Sequence, residues 1–517
     1  MSDVELVLLL LVATTLLAVL AERLKVAYPI VLVLGGVVLG LIPGLPRIAL
    51  DPDLAFELFL PPLLFSAGFF MPWPEFKANL RPILLLAIGL VLATALAVAW
   101  VAWATIALPL GVGFVLGAIV SPTDAIAVTA IAERLKLPRR LLVVLEGESL
   151  FNDAAGLVLF RFAVAAVVTG GFSAAGAGLE FVRLAVGGVV LGLAVAWLSM
   201  TLFRRLADPG IVTVLTLLAP FGAYLPAELL GFSGVLATVA AAIYAGWHAP
   251  TTFTPETRVR AAAVWSTLVF LLNGLAFILI GLQLPFILAE IAAQPPADLA
   301  LAALAVTGVV VLVRIVWTFS VNGLMELLMR CLRRRESAPP LRNLALMSWA
   351  GMRGIVSLAT ALALPNTIAS GAPFPERGLV LFLAFSVVVA TLVVQGLTMP
   401  LLVRALGVAF AGRDDELLEA RRLAIEGALV RLDELVVRDD LPADGLDHLR
   451  RRYQHALRVL DERDVDVGDI DTYRLVQRDL LDAERQVLLD LRRNGAISHE
   501  IFRELERTLD LRATWLG

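Results

Sequence analysis

Apolar runs of about 20 residues, the length of α-helix that crosses a hydrocarbon layer, recur thirteen times between residues 4 and 403 of this chain. In lipid the backbone N–H and C=O groups find no water, so a spanning run of this length must satisfy them within itself as an α-helix. The expected fold is an all-α membrane protein with about thirteen transmembrane helices. Runs 28–43 and 232–247 are short for a crossing, and run 211–229 is interrupted by Pro220 and Pro226, so the count turns on these three. Charge divides the chain in two. The whole chain is 59% apolar and 17% charged, yet residues 411–517 hold 18 Arg and 25 Asp or Glu, a net charge of −7. We therefore expect a transmembrane domain over 1–410 and an acidic, charged helical domain in water over 411–517. A conventional soluble enzyme is excluded.

The chain opens with Met1, Ser2, Asp3 and Glu5. A cleaved secretory signal carries a basic leader, so the first run is expected to be a permanent helix. Cytoplasmic loops retain Lys and Arg, and the loops after odd-numbered runs hold seventeen of them, from Arg23 to Arg342. Those after even-numbered runs hold three: Arg47, Arg183 and Arg377. The N-terminus is thus expected outside the cell membrane and the acidic tail in the cytoplasm. The lone cysteine, Cys331, allows no internal disulfide.

Charged groups deep in these runs cost at least ~2.5–3.5 kcal/mol each, so they face partners or a watery cavity. The deep bases are Arg161, Arg314 and Arg353; the deep acids are Asp124, Glu146, Glu148 and Asp153. The fifth run carries Ser121, Pro122, Thr123 and Asp124 at its middle. Proline removes a donor and breaks or kinks the helix there, which leaves carbonyls, a hydroxyl and a carboxylate as ligands for a hard cation. A plain kink capped by Asp124 is the alternative. In the sixth run Glu148 and Asn152, and Ser149 and Asp153, stand four apart and form a polar stripe. The twelfth run places Arg353 between Gly351 and Gly354, which predicts a second interrupted helix and a partner for one carboxylate. Runs 1–6 and 8–13 then read as two inverted-topology repeats about run 7.

The strings LPPLLF (60–65), SPTD (121–124), EGESLFND (146–153), FLLNGL (270–275) and GMRG (351–354) resemble those of the monovalent cation/proton antiporters, in their sodium/proton-exchanger branch, over about residues 1–405. The resemblance implies a thirteen-helix inverted-repeat fold, a homodimer, and a core domain that moves against a dimerisation domain. It makes Asp153 the ion-binding aspartate, Asn152 its neighbour, Thr123 and Asp124 the broken-helix pair, and Ser149 an auxiliary cation ligand. It also implies a structural ion pair between Glu148 and Arg353. Na⁺ would then meet Asp153, Ser149, Thr123 and Asp124. Ser66 departs from the pattern, since many relatives carry an acid there.

A buried carboxylate that takes either a proton or a cation, each expelling the other, is sufficient for exchange. Such a protein needs no cofactor, nucleotide or nucleic acid; its partners are monovalent cations, protons, the bilayer and a second copy of itself. Since Asn152 and Arg353 carry no exchangeable proton at physiological pH, one H⁺ is expected per Na⁺, Li⁺ or K⁺. A cation channel and a membrane receptor or scaffold are the readings from other classes. Asn273 either lines the site or bonds across helices. In the tail, leucines from Leu417 to Leu435 and from Leu475 to Leu491 recur near helical spacing and predict amphipathic helices.

Overall fold

The computed structural model describes residues 3–42, 52, 55–126, 128–130, 137–171, 174–292, 294–331, 340–408, 413–436 and 443–461, and scattered positions between 480 and 509. Arg47, Arg134, Lys136, Arg333 to Arg335 and Leu475, and the side chains of Cys331 and Leu417, lie outside the described residues. The described residues are helical, with a single isolated β-bridge between Thr367 and Pro373. They divide into two compact units, Met1–Ala409 and Phe410–Gly517.

In chain order the helices are α1 (Asp3–Leu24), α2 (Tyr28–Gly40), α3 (Leu60–Phe69), α4 (Trp73–Ala78), α5 (Leu80–Leu84), α6 (Val91–Ile106) and α7 (Leu110–Val120). There follow α8 (Arg139–Thr169), α9 (Ala174–Phe203), α10 (Pro209–Leu229), α11 (Gly234–Thr252), α12 (Pro255–Leu282), α13 (Leu284–Glu290) and α14 (Pro296–Cys331). The first unit closes with α15 (Leu341–Trp349), α16 (Ile355–Leu362), α17 (Arg377–Ala390) and α18 (Gly396–Leu406). The second unit contains α19 (Arg413–Val436) and α20 (Ala443–Asp461), joined by an ion pair from Arg450 to Asp433. Single π-helical turns stand at Ala55–Phe59, Leu85–Leu90 and Thr391–Gln395.

Eight helical stretches among the described residues are long and apolar enough to cross a bilayer. Tyr28–Gly40, Phe56–Phe69 and Leu110–Val120 are shorter apolar helices. The expected interruption of run 211–229 is absent: α10 continues through both Pro220 and Pro226. Membrane helices tolerate proline where neighbouring groups take up the freed carbonyl.

Burial sorts the helices by depth. Along α7, Val115, Leu116, Ala118, Ile119 and Val120 are fully buried, which puts this half-helix at the centre of the first unit. Only 17% of the apolar window of α1 is buried, and 22% in α9 and α14, so these present apolar faces outward, where lipid imposes no penalty. Close approach depends on small residues. A side chain at Gly36 would meet the Ile278 carbonyl of α12, and one at Gly192 would meet the Ala237 carbonyl of α11, the role that small-xxx-small spacing gives such glycines.

Candidate functional site

Helix α7 ends at Val120, and residues 121–124 are not helical before the chain coils again from Ala125. Helix α15 ends at Trp349, and residues 350–354 are not helical before α16 starts at Ile355. The two breaks touch: the Asp124 N–H donates to the Met352 carbonyl at 2.8 Å. Gly354 permits this approach, since any side chain there would collide with the Asp124 carboxylate.

A broken helix leaves partial negative charge at the end of its first half and partial positive charge at the start of its second. Arg353 answers the negative ends. Its guanidinium donates to the Val120 carbonyl at 3.0 Å and to the Gly351 carbonyl, and its own N–H is held by Thr391 Oγ1 at 3.2 Å. Asp124 answers the positive ends. Its Oδ1 accepts from the Ile126 N–H at 2.8 Å, and its carboxylate lies against Gly354, the residue that precedes α16. Break and cap are thus both present.

The expected ion pair is corrected here. Glu148 pairs with Arg314 and not with Arg353: Glu148 Oε2 accepts from Arg314 Nη2 at 2.9 Å, Oε1 accepts from Nη1, and both side chains are essentially inaccessible. The reason is chemical. Two parallel N–H donors match the two oxygens of a carboxylate, whereas the carbonyls at the breaks occupy Arg353. Arg314 Nε also holds the Met347 carbonyl at 3.3 Å, which ties α14 to α15. Arg161 lies away from the breaks and pairs with Glu228 at 2.9 Å in a half-exposed position.

Helix α8 contributes two stripes. Glu148 and Asn152 face the first break: Thr123 Oγ1 donates to Glu148 Oε1 at 3.0 Å, and Asn152 Nδ2 donates to Thr123 Oγ1 at 2.8 Å. A quarter-turn away, Glu146, Ser149 and Asp153 line a cavity of about 80 Å³. Across it stand Thr123 and Asp124 of the first break, Gly354 at the end of the second, Ser357 beyond it, and an apolar wall of Leu60, Leu63, Leu64 and Ala67 from α3. Ser149 Oγ accepts from the Ala125 N–H at 3.3 Å, and Asp153 is 7% exposed.

The structure therefore brings Asp153, Ser149, Thr123 and Asp124 to one cavity and sets Asn152 behind Thr123. Arg353 joins the breaks from outside that cavity, and Asn273 is buried on α12 away from its lining. Ser66 is not among the lining residues, although Leu63, Leu64 and Ala67 on the same helix are. Two contributors carry no role predicted from the sequence. Glu146 was visible as a deep acid three and seven residues before Ser149 and Asp153, on their helical face. Ser357 was visible four residues after Arg353, one turn beyond the predicted break.

Carboxylates and hydroxyls around a small cavity, at the contact of two interrupted helices in an apolar helical bundle, define a secondary ion transporter. Comparison with known proteins agrees. The profile of the transmembrane sodium/hydrogen exchanger family matches residues 7–405, and the chain belongs to that family. It is 38% identical, over 97% of its length and 94% of the relative's, to a protein of Mycobacterium tuberculosis named an uncharacterised Na⁺/H⁺ exchanger. It is also 36% identical to the sodium, potassium, lithium and rubidium/H⁺ antiporter of Bacillus subtilis, over 77% of this chain and 61% of that protein. The fold is similar to the solved structure of the sodium proton antiporter MjNhaP1 from Methanocaldococcus jannaschii, with a TM-score of 0.61 at 22% identity, covering 78% of this chain and 98% of that one.

Proposed function

We propose that this chain is a secondary antiporter that exchanges Na⁺, or Li⁺ or K⁺, for H⁺ across the cell membrane, with Asp153 as the group that carries either ion. The observation that supports it is the cavity in which Asp153, Ser149, Thr123 and Asp124 converge beside both helix breaks. Hard oxygen donors of this kind suit a monovalent alkali cation. A proton on Asp153 removes the charge that holds the cation, so the two compete for one site. K⁺/H⁺ exchange by the same mechanism is the second reading, since the name of one relative covers sodium, potassium, lithium and rubidium alike.

Charge around the breaks supports one-for-one exchange. Arg314 and Arg353 offset two of the buried carboxylates at the breaks, Glu148 and Asp124, and one proton or one monovalent cation neutralises Asp153. The N-terminus lies outside and the acidic tail in the cytoplasm, as the seventeen-to-three loop asymmetry supports. The thirteen crossings, the inverted repeats and the homodimer rest on the family resemblance, and pH homeostasis is the physiological role that follows from such exchange.

The test is flux in proteoliposomes of the full chain. Addition of Na⁺, Li⁺ or K⁺ should change lumenal pH at a rate that valinomycin and K⁺, clamping the voltage, leave unaltered. A transport current, or a pH change that accelerates markedly under the clamp, would contradict electroneutrality; current without proton movement would indicate a channel.

A further inference from the structure

We infer that Ser357 Oγ is a further ligand of the transported cation, supplied by the second broken helix. The inference rests on the antiport reading and deepens it. Ser357 is 1% exposed, lines the cavity together with Asp153, Asp124 and Ser149, and its hydroxyl has no hydrogen-bond partner among the described residues.

The local geometry explains why this hydroxyl is left over. A serine or threonine inside an apolar helix ordinarily donates to the carbonyl four residues back. Thr360, one turn further along α16, does so, to the Val356 carbonyl at 2.6 Å. For Ser357 that carbonyl belongs to Arg353, which lies in the break and outside the helix. The interruption that exposes the backbone thus also deprives the first hydroxyl of α16 of its usual acceptor. A buried hydroxyl without a partner is costly. Its oxygen lone pairs remain available to the cavity, and oxygen is the donor a hard cation takes.

A second orphan shares the same cavity. Asp124 Oδ2 is buried and without a hydrogen-bond partner among the described residues, while its Oδ1 caps Ile126. The cation then bridges three elements: Asp153 and Ser149 from α8, Thr123 and Asp124 from the first break, and Ser357 from the second. A cation held this way links both interrupted helices, whereas a proton on Asp153 engages one oxygen and leaves Ser357 unengaged. Ser357 therefore acts on cation affinity rather than on proton release.

The test is Ser357→Ala in the full chain, read by Na⁺-driven proton flux in proteoliposomes and by thermal melting of the purified protein with and without Na⁺. The half-saturating Na⁺ concentration should rise roughly tenfold, the loss expected for one oxygen contact to a charged group, with the maximal rate near wild type. Melting without Na⁺ should be unchanged or slightly raised, because the removed hydroxyl had no partner, while stabilisation by Na⁺ should shrink. A wild-type half-saturation would overturn the inference, and so would a lower melting temperature without Na⁺ or a failure to fold, since either would make the hydroxyl structural. Asp153→Asn run in parallel separates the two failures: Na⁺-dependent flux in that variant would sink Asp153 as the shared carrier on which the inference rests, whereas silence there with an unaffected Ser357→Ala would sink this inference alone.

Discussion

Two arginines buried within one site have different tasks, and substitution separates them. Arg314 is the partner of Glu148, so Arg314→Ala leaves a carboxylate buried and unpaired, at a cost of about 3–5 kcal/mol. Arg314→Met combined with Glu148→Leu should recover most of that loss, because matched apolar groups often replace a buried pair without penalty. Thermal melting of the two variants checks this, and an Arg314→Ala as stable as wild type would contradict the pairing. Depth in the membrane was legible in the sequence, and it marked both arginines as needing partners. Which arginine meets Glu148 was not legible. A position along an apolar run gives depth but not the facing helix, and Glu148 and Arg314 are brought together from 166 positions apart. Glycines beside Arg353 pointed to a break, and the break, by freeing carbonyls, is what occupies Arg353.

At the scale of elements, the interrupted helices were the most readable part of the fold. Proline followed by threonine and aspartate inside an apolar run removes a backbone donor and supplies polar groups to answer the freed ones, and GMRG repeats the signal with glycines. Prolines alone were misleading: Pro220 and Pro226 sit inside a continuous α10, without a polar cluster beside them. The contact between the breaks depends on Gly354. A methyl group there would strike the Asp124 carboxylate, the group that answers the positive ends of both second half-helices. Gly354→Ala should therefore reduce exchange at least tenfold, since ~1.4 kcal/mol of misplaced interaction is enough, while the helices still insert. Flux against expression and melting measures this; full activity in Gly354→Ala would contradict the close approach. The polar stripe of α8 was legible as one surface and is two in the structure, because adjacent residues differ by about 100° around a helix. Glu148 and Asn152 face the break, and Ser149 and Asp153 face the cavity.

For the molecule as a whole, the cavity has one polar wall and one apolar wall. Asp153, Glu146, Ser149 and the two breaks belong to the polar side, with Arg314 and Arg353 behind it, and Leu60, Leu63, Leu64 and Ala67 of α3 form the other. Alternating access then needs no rearrangement among the charged groups, whose contacts are many and mutually dependent. In the moving-core cycle that the family resemblance implies, the polar side would pass the apolar wall of α3, which offers no hydrogen bonds to break along the way. Such a cycle moves ions only if the loaded site is near neutral, which one proton or one monovalent cation on Asp153 achieves. The measurement that tests this most directly is Na⁺-dependent proton flux by Asp153→Asn in proteoliposomes, beside wild type reconstituted at equal amounts. The amide fills the same space but holds neither ion as a carboxylate does, so the account predicts a folded, inserted protein with no exchange for Na⁺, Li⁺ or K⁺. Exchange at the wild-type rate would contradict it and place the carrier group elsewhere.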